Sequence, residues 1–465
     1  MALTGPAEGP PALAPGAPAS ALAGALAVFE LLTRARTGAT ALDLPGTGLL
    51  GERAALAGLA RRAPRSVGGA FRALRAADGW LGLSLARPDD VALLPALTGG
   101  DVPGTLPARA DAPPDGRRPE GVSPAARTED PWRALSAWLA RSELGPVVAR
   151  AQLLGLPAAP VPAGPVPVRR PPVLCSPGGP RNQPPRGAPL VVDLTSLWAG
   201  PLCAHLLGLA GATVVKVESR ARPDGARAGP PAFFDLLHAG HRSVALDFGV
   251  PGDLAALRRL LARADVVLEA SRPRALRQLG LDAEEYVAAG AVWASLTGYG
   301  RAGEDAQRAG YGDDVAAAAG LVAYCGDVPY PVGDAIADPL AGAYAAAAVA
   351  AALLGPRGQL LDISMYDVAV AAGGQSARVG EPAEVVATGP GAWAVRTAED
   401  LVPVCPPRAR LPRSAAARLG QHTREVCRAL ALLACVQVGA ETAPGARALD
   451  GLDRPGDAIA TEQQP

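Results

Sequence analysis

The sequence predicts an α/β protein built on a Rossmann-like parallel sheet, and three observations point to that class. An apolar run at residues 190–194 leads into a helical pattern at 201–210, a Gly211-Ala212 break and a second apolar run at 213–218. That order is a β-α-β unit, whose crossover is right-handed and sets both strands parallel in one sheet. Ligands of such sheets gather in the loops beyond the carboxyl ends of the strands, which here means TSLWAGP, residues 195–201. Gly200, Gly208 and Gly211 do not follow the GxGxxG spacing that brings a backbone up to a dinucleotide pyrophosphate, so a nicotinamide cofactor is not expected.

Composition bounds the rest. The 465 residues allow about three domain-sized units, and 49% apolar residues can fill a sizeable core. Lys+Arg and Asp+Glu are equal at 44 each, so no overall field favours nucleic acid or an anionic membrane. Lys216 is the single lysine, and together with the abundance of proline, glycine and alanine it reads as compositional bias without functional weight. Six cysteines (Cys175, Cys203, Cys325, Cys405, Cys427, Cys435) lack CxxC spacing and only four histidines accompany them, so neither a zinc site nor a disulfide framework is expected. The N-terminus shows no basic segment before an apolar core, and the alanine-rich runs break before the roughly 20 residues of a membrane span. A reduced, soluble, cytoplasmic protein is expected.

Along the chain, residues 1–19 are rich in Pro, Ala and Gly and read as disordered, as does the polar tail 439–465. Residues 161–189 read as a proline-rich linker. It separates an N-terminal part, 20–160, from a large domain, 190–375, and a C-terminal segment, 376–438. Residues 22–44 (LAGALAVFELLTRARTGATALDL) echo residues 340–363 (LAGAYAAAAVAAALLGPRGQLLDI), which suggests a partial internal repeat.

Six segments in order carry a resemblance: WAGPLCAHLLGLAGATVVKVE, HAGHRSVALDF, ADVVLEASRP, LGLDAEE, WASLTGYGRAG and DPLAG. Together they resemble the large domain of the family III CoA-transferases, the carnitine, bile-acid and formyl-CoA transferase group to which α-methylacyl-CoA racemase is related. The resemblance implies that family's fold, a Rossmann-like large domain with a smaller α/β domain, here assembled from the N-terminal half. LLGERAALAG, GGAFRALRAADGWLGLSLARPDD, the Trp132/Trp138 helix and LLGLPAAPV look like what ordinarily follows the catalytic region, and residues 401–426 resemble the ordinary ending. The downstream half thus stands before the upstream half, as a circular permutation or a truncated tandem fusion would each leave it.

The resemblance implies transfer of coenzyme A from an acyl-CoA to a carboxylic acid, with CoA as substrate and product and no tightly bound cofactor or metal. It assigns the nucleophile to Asp338, four residues before Gly342 in DPLAG; a carboxylate would pass through an aspartyl anhydride to an aspartyl-CoA thioester. By residue chemistry alone Asp338 can equally cap the alanine-rich helix that follows, with Pro339 in its first turn. In the echo its counterpart is Ser20, which forms no anhydride. Asp334 is off the family spacing and reads as serving the turn at Gly333.

CoA contacts are carried over to Trp198 and Ala199, to Leu246 and Asp247, to Ser271 and Arg272, to Arg277 as a cation for phosphate, and to Asp313 near the reacting group. Ala270 stands where an asparagine is common, and Gln278 where an arginine can occur. Two other readings remain. A racemase needs a histidine paired with an aspartate, but Tyr311 occupies the expected place and His205, His238, His241 and His422 lie elsewhere. A noncatalytic CoA-binding or interaction protein would fit the rearranged order. Acyl-CoA and carboxylate molecules are the expected partners, and the resemblance implies a homodimer.

Overall fold

The computed structural model describes residues 1–102, 131–181, 187–271, 273–373 and 383–430. The N-terminal half supplies α1 (Pro18–Thr37), α2 (Glu52–Leu56), β1 (Phe71–Arg75), β2 (Trp80–Ser84), α3 (Pro88–Ala92), α4 (Leu94–Thr98), α5 (Pro131–Leu139), α6 (Leu144–Leu153) and β3 (Ala158–Pro160). The linker contributes β4 (Val173–Pro180). The large domain follows with β5 (Leu190–Asp193), α7 (Ala199–Leu209), β6 (Thr213–Ser219), α8 (Pro231–His238), β7 (Arg242–Leu246), α9 (Pro251–Leu261) and β8 (Val266–Glu269). It continues through α10 (Pro273–Gln278), α11 (Ala283–Ala288), β9 (Val292–Thr297), α12 (Gly312–Ala318), β10 (Val322–Cys325), β11 (Val328–Pro331), α13 (Ala337–Leu354), β12 (Arg357–Ser364) and α14 (Met365–Gly373). Three short strands, β13 (Glu384–Gly389), β14 (Ala392–Arg396) and β15 (Leu401–Pro403), form a separate antiparallel sheet.

The predicted β-α-β unit is present: β5 and β6 pair in parallel with α7 between them. They belong to a seven-stranded sheet ordered β4-β12-β9-β8-β5-β6-β7, parallel throughout except for β4. Apart from the exposed edge strand β4, its strands are largely buried and rich in Val, Leu and Ala. From β5 the chain winds outward to β6 and β7, then returns to the other side of β5 for β8 and β9. The direction of winding therefore reverses between β5 and β8, and the crevice beyond their carboxyl ends is where such sheets hold ligands.

The smaller α/β domain is the antiparallel sheet β1-β2-β3 packed with α3 to α6 around Leu81, Leu83, Leu94, Leu135 and Leu139. It takes in residues 71–160 and so is narrower than the expected 20–160 unit, because α1 packs along α13 and its Leu22, Leu26 and Phe29 join the core of the large domain. Two expectations about the flanking segments are corrected. Residues 1–19 are not loose: Leu3 and Thr4 are buried, and Arg61 donates hydrogen bonds to the Pro6 and Gly9 carbonyls. Nor is 161–189 a mere spacer, because β4 runs antiparallel along β12 as the edge of the large sheet. Proline is tolerated there because an edge strand leaves half of its backbone groups unpaired. The expected disordered tail, 439–465, lies outside the described residues.

The echo holds only for its helix. α1 packs along α13, whereas residues 38–46 form no strand and have no counterpart of β12. The two equivalent glycines differ in the same way. A Cβ on Gly342 would lie 2.6 Å from the Ala199 carbonyl oxygen, so this glycine lets α13 seat against α7; a Cβ on Gly24 would meet nothing within 4 Å. Among the described residues, α13 is a helix long and apolar enough to cross a membrane, and most of it is buried between α1, α7 and α14.

Candidate active site

Asp338 is the second residue of α13, with its backbone N–H donating to the Ala335 carbonyl at 2.9 Å. A helix N-terminus favours an anion there. Opposite it, the chain of GYGDD starts α12, and the Gly312 N–H donates to the Asp338 carboxylate. The approach is so close that a Cβ on Gly312 would lie 2.2 Å from Asp338 Oδ2 and 2.4 Å from the Ala335 oxygen. Only glycine fits. Desolvation is the largest influence on Asp338, and with the charges of Asp313 and Asp334 it outweighs the opposing pull of Arg53 and Gly312, raising the carboxyl to about 7.

Asp313, carried over from the family motifs, does lie in this cluster. Its Oδ1 accepts from the Ala335 N–H at 2.9 Å, and desolvation followed by Asp334 raises it to about 6. Asp334 has no accessible surface and accepts a bidentate hydrogen bond from Arg53, whose Nε lies 2.9 Å from Oδ2. The expectation that Asp334 serves the Gly333 turn is therefore corrected: the Gly333 N–H goes to Thr4 Oγ1 at 3.0 Å, and Asp334 holds an arginine. Next to Asp313, Asp314 is fully buried and raised to about 7, chiefly by desolvation; it accepts from Ser84 Oγ at 2.7 Å.

Two non-glycine residues in the described chain have left-handed backbones, Leu197 at φ 72° and Ala335 at φ 44°. Both flank this site. Residues are held in such strained regions only where their surroundings enforce it, and such positions cluster at functional sites. For Ala335 the restraint is Asp313. For Leu197 it is a buried ionic bracket: Asp224 Oδ1 accepts the Leu197 N–H at 3.0 Å, while Asp224 Oδ2 pairs with Lys216 Nζ at 2.9 Å. Lys216 also donates to the Thr195 carbonyl at 2.9 Å and lies 3.7 Å from Asp193. Burial disfavours its charge, but Asp193 and Asp224 more than compensate and raise it. The single lysine, taken from sequence as compositional bias, thus fastens the TSLWAGP loop.

The other predicted contacts divide. Trp198 caps α7 and is buried, with its ring edge-on to Phe233 at 5.3 Å and the Arg53 guanidinium 5.1 Å from its centroid. Ala199 is buried against Gly342. Both lie beside the winding reversal and near the carboxylates. Ser271 follows β8 across that same reversal, its N–H donating to Glu269. Leu246 is buried at the end of β7, two strands away from β5, and Asp247 after it is exposed. Arg277 is exposed on α10. Arg272 lies outside the described residues. The sequence reading missed Thr4, Arg53, Ser66, Ser84 and Lys216. The first four come from the N-terminal half and reach residues more than 200 positions away, so no local pattern marks them.

A cleft of about 530 Å³ opens separately beyond β9 and β12, lined by Arg169, Arg170, Tyr299, Arg308 and Tyr366 among others. Asp338 does not line it.

Residues 189–392 match the sequence model described as CoA-transferase family III. The chain is 33% identical over 211 residues to "Succinate--glutarate CoA-transferase" of Agrobacterium fabrum, covering 41% of this chain and 53% of that protein. It is 33% identical over 176 residues to "Succinyl-CoA:glutarate CoA-transferase" of Homo sapiens, covering 35% and 40%. The chain spans about half the length of the curated relatives it matches. Among solved structures, a CAIB/BAIF family protein from Brucella suis aligns at 30% identity over 44% of this chain and 63% of that one, with a TM-score of 0.39.

Proposed function

Residues 189–392 being a CoA-transferase family III segment, we propose that this chain moves coenzyme A from an acyl-CoA thioester to a carboxylic acid, with Asp338 as nucleophile. An Asp338 oxygen attacks the thioester carbonyl carbon; the C–S bond breaks, CoA leaves as its thiolate, and an acyl-aspartyl anhydride forms. The thiolate attacks the aspartyl carbonyl, releasing the acyl group as a free carboxylate and leaving an aspartyl-CoA thioester. The acceptor carboxylate attacks that thioester to give a second anhydride and thiolate, and thiolate attack on the acceptor carbonyl yields the new acyl-CoA and restores Asp338. Each step exchanges bonds of similar energy, so no redox or metal chemistry is required.

The observation that carries this reading is the setting of Asp338. Its carboxylate stands at a helix N-terminus against a glycine that leaves no side chain in the way, within a family III segment. Trp198, Ala199 and Ser271 serve as CoA contacts in the same reading, at the crevice the sheet topology selects; Arg272 is proposed as a contact from the family motif alone, Leu246, Asp247 and Arg277 further along CoA, and Asp313 beside the reacting group. Because the named relatives act on succinyl and glutaryl groups, short dicarboxylic acyl-CoAs are the first donors to try. A cytoplasmic homodimer belongs to the proposal on the strength of the family resemblance, and light scattering that returned only monomer would remove that part.

The test is intact-protein mass spectrometry after mixing with a panel of acyl-CoAs, dicarboxylic, branched and aromatic, with Asp338→Asn alongside. A CoA adduct on the native protein and none on the variant is expected. CoA binding without an adduct from any donor would instead favour a noncatalytic CoA-binding protein.

A further inference from the structure

The acids at the site all come from the family III segment, while side chains of the N-terminal half bond three of them. Arg53 on α2 binds Asp334, Ser66 donates to Asp313, Ser84 on β2 binds Asp314, and Thr4 takes the Gly333 N–H. Arg53 is distinct within this set because it carries a charge. Its planar fork is spent on Asp334, its face lies over Trp198, and its side chain remains 29% accessible. The charges facing Asp338 among the described residues are Arg53 from α2, Asp313 from α12 and Asp334 from the turn before α13, with the Gly312 N–H beside them. Two of these charges repel an ionised Asp338 and one attracts it.

We propose that Arg53 is the positioning residue of this site: anchored by Asp334 and set over Trp198, it favours the ionised Asp338 carboxylate that attacks, so that the N-terminal half completes an active site that the family III segment cannot complete alone. The inference rests on the transfer reading for the identity of the nucleophile. Arg53 lies outside residues 189–392 and touches no reacting atom; it acts through charge and through the loop residue it covers.

Opposite displacements in two variants separate this role from scaffolding. Arg53→Met/Asp334→Asn removes the ion pair as a unit, so that neither partner is left buried without the other. Asp334→Asn alone keeps the cation, now unneutralised. With a donor that labels the native protein, the rate of CoA-adduct formation is measured from pH 5.5 to 9. The native midpoint is expected at about 7. The double variant should move it up, because Arg53 is the larger of the two opposing influences it removes, and Asp334→Asn should move it down. Arg53→Lys, which restores the charge without the fork, should stay nearer the native midpoint than the double variant does. Midpoints unmoved in both the double variant and Asp334→Asn, with only the rate lowered, would reduce Arg53 to a scaffold and overturn the proposal.

The same displacement is readable without turnover, from the pH dependence of the stability difference between each background and its Asp338→Asn derivative. A native protein that forms no adduct while the displacements appear there keeps the role of Arg53 and loses the transfer reading. Absence of the displacements in that readout overturns the role of Arg53 whether or not adducts form.

Discussion

Replacing Asp338 by asparagine should make the protein more stable as pH rises, even as it removes the proposed nucleophile. The carboxyl sits at about 7 in the folded chain against an ordinary 3.8. A group whose folded value is raised binds its proton more tightly when folded, so it adds stability below the unfolded value and loses it as pH climbs through the folded one. The window is thus about pH 4 to 7. Between pH 5.5 and 8 the native chain should lose the part lying between 5.5 and 7, which at 1.36 kcal/mol per pH unit is about 2 kcal/mol. Asparagine carries no such dependence. Whatever it forfeits at Gly312 and Arg53 is the same at both pH values and cancels in the difference. Urea unfolding of both proteins at pH 5.5 and 8, followed by tryptophan fluorescence, gives the four values required. A stability gap that fails to grow by roughly 1 kcal/mol or more in favour of Asp338→Asn would refute the reasoning, because the ionised carboxylate would then cost the fold little.

Two further outcomes follow from the packing. Lys216→Met leaves Asp193 and Asp224 buried without their cation and should cost about 3–5 kcal/mol, with partial recovery in Lys216→Met/Asp224→Asn, read as thermal midpoints. Gly342→Ala should destabilise by about 1–3 kcal/mol through overpacking against Ala199 and Leu202, whereas Gly24→Ala, in the open echo position, should stabilise by about 0.5–1 kcal/mol because alanine is the better helix former.

What could be read in advance was what local physics writes into adjacent residues. β5, α7 and β6 announce themselves through apolar runs and a helical period, and Asp338 through its place before an alanine-rich helix. The cation that serves it could not be read: Arg53 and Asp334 are 281 positions apart, and nothing around Arg53 distinguishes it from the other arginines of a lysine-poor chain. Composition misled in two places. Pro and Gly in residues 1–19 suggested disorder, yet Thr4 is fixed by a hydrogen bond from Gly333. In β4 the same residue types disguised a strand; its glycines are there because a Cβ on Gly178 or Gly179 would come 2.3 Å or 1.8 Å from the carbonyl oxygens of Val287 and Ala288. The echo in residues 22–44 shows the opposite error, since sequence likeness extended into a region that forms no strand.

The strand β4 also bears on what counts as a unit in this protein. The match to the family III model begins at residue 189; folding does not respect that boundary, because the edge of the same sheet is laid down about ten residues earlier. A gene cut at that boundary would yield a sheet with β12 bare along one side, an open template for pairing with other chains. The piece that looks most portable in sequence is thus the one least suited to being moved, and any shuffling of this segment between proteins has to carry its preceding strand with it.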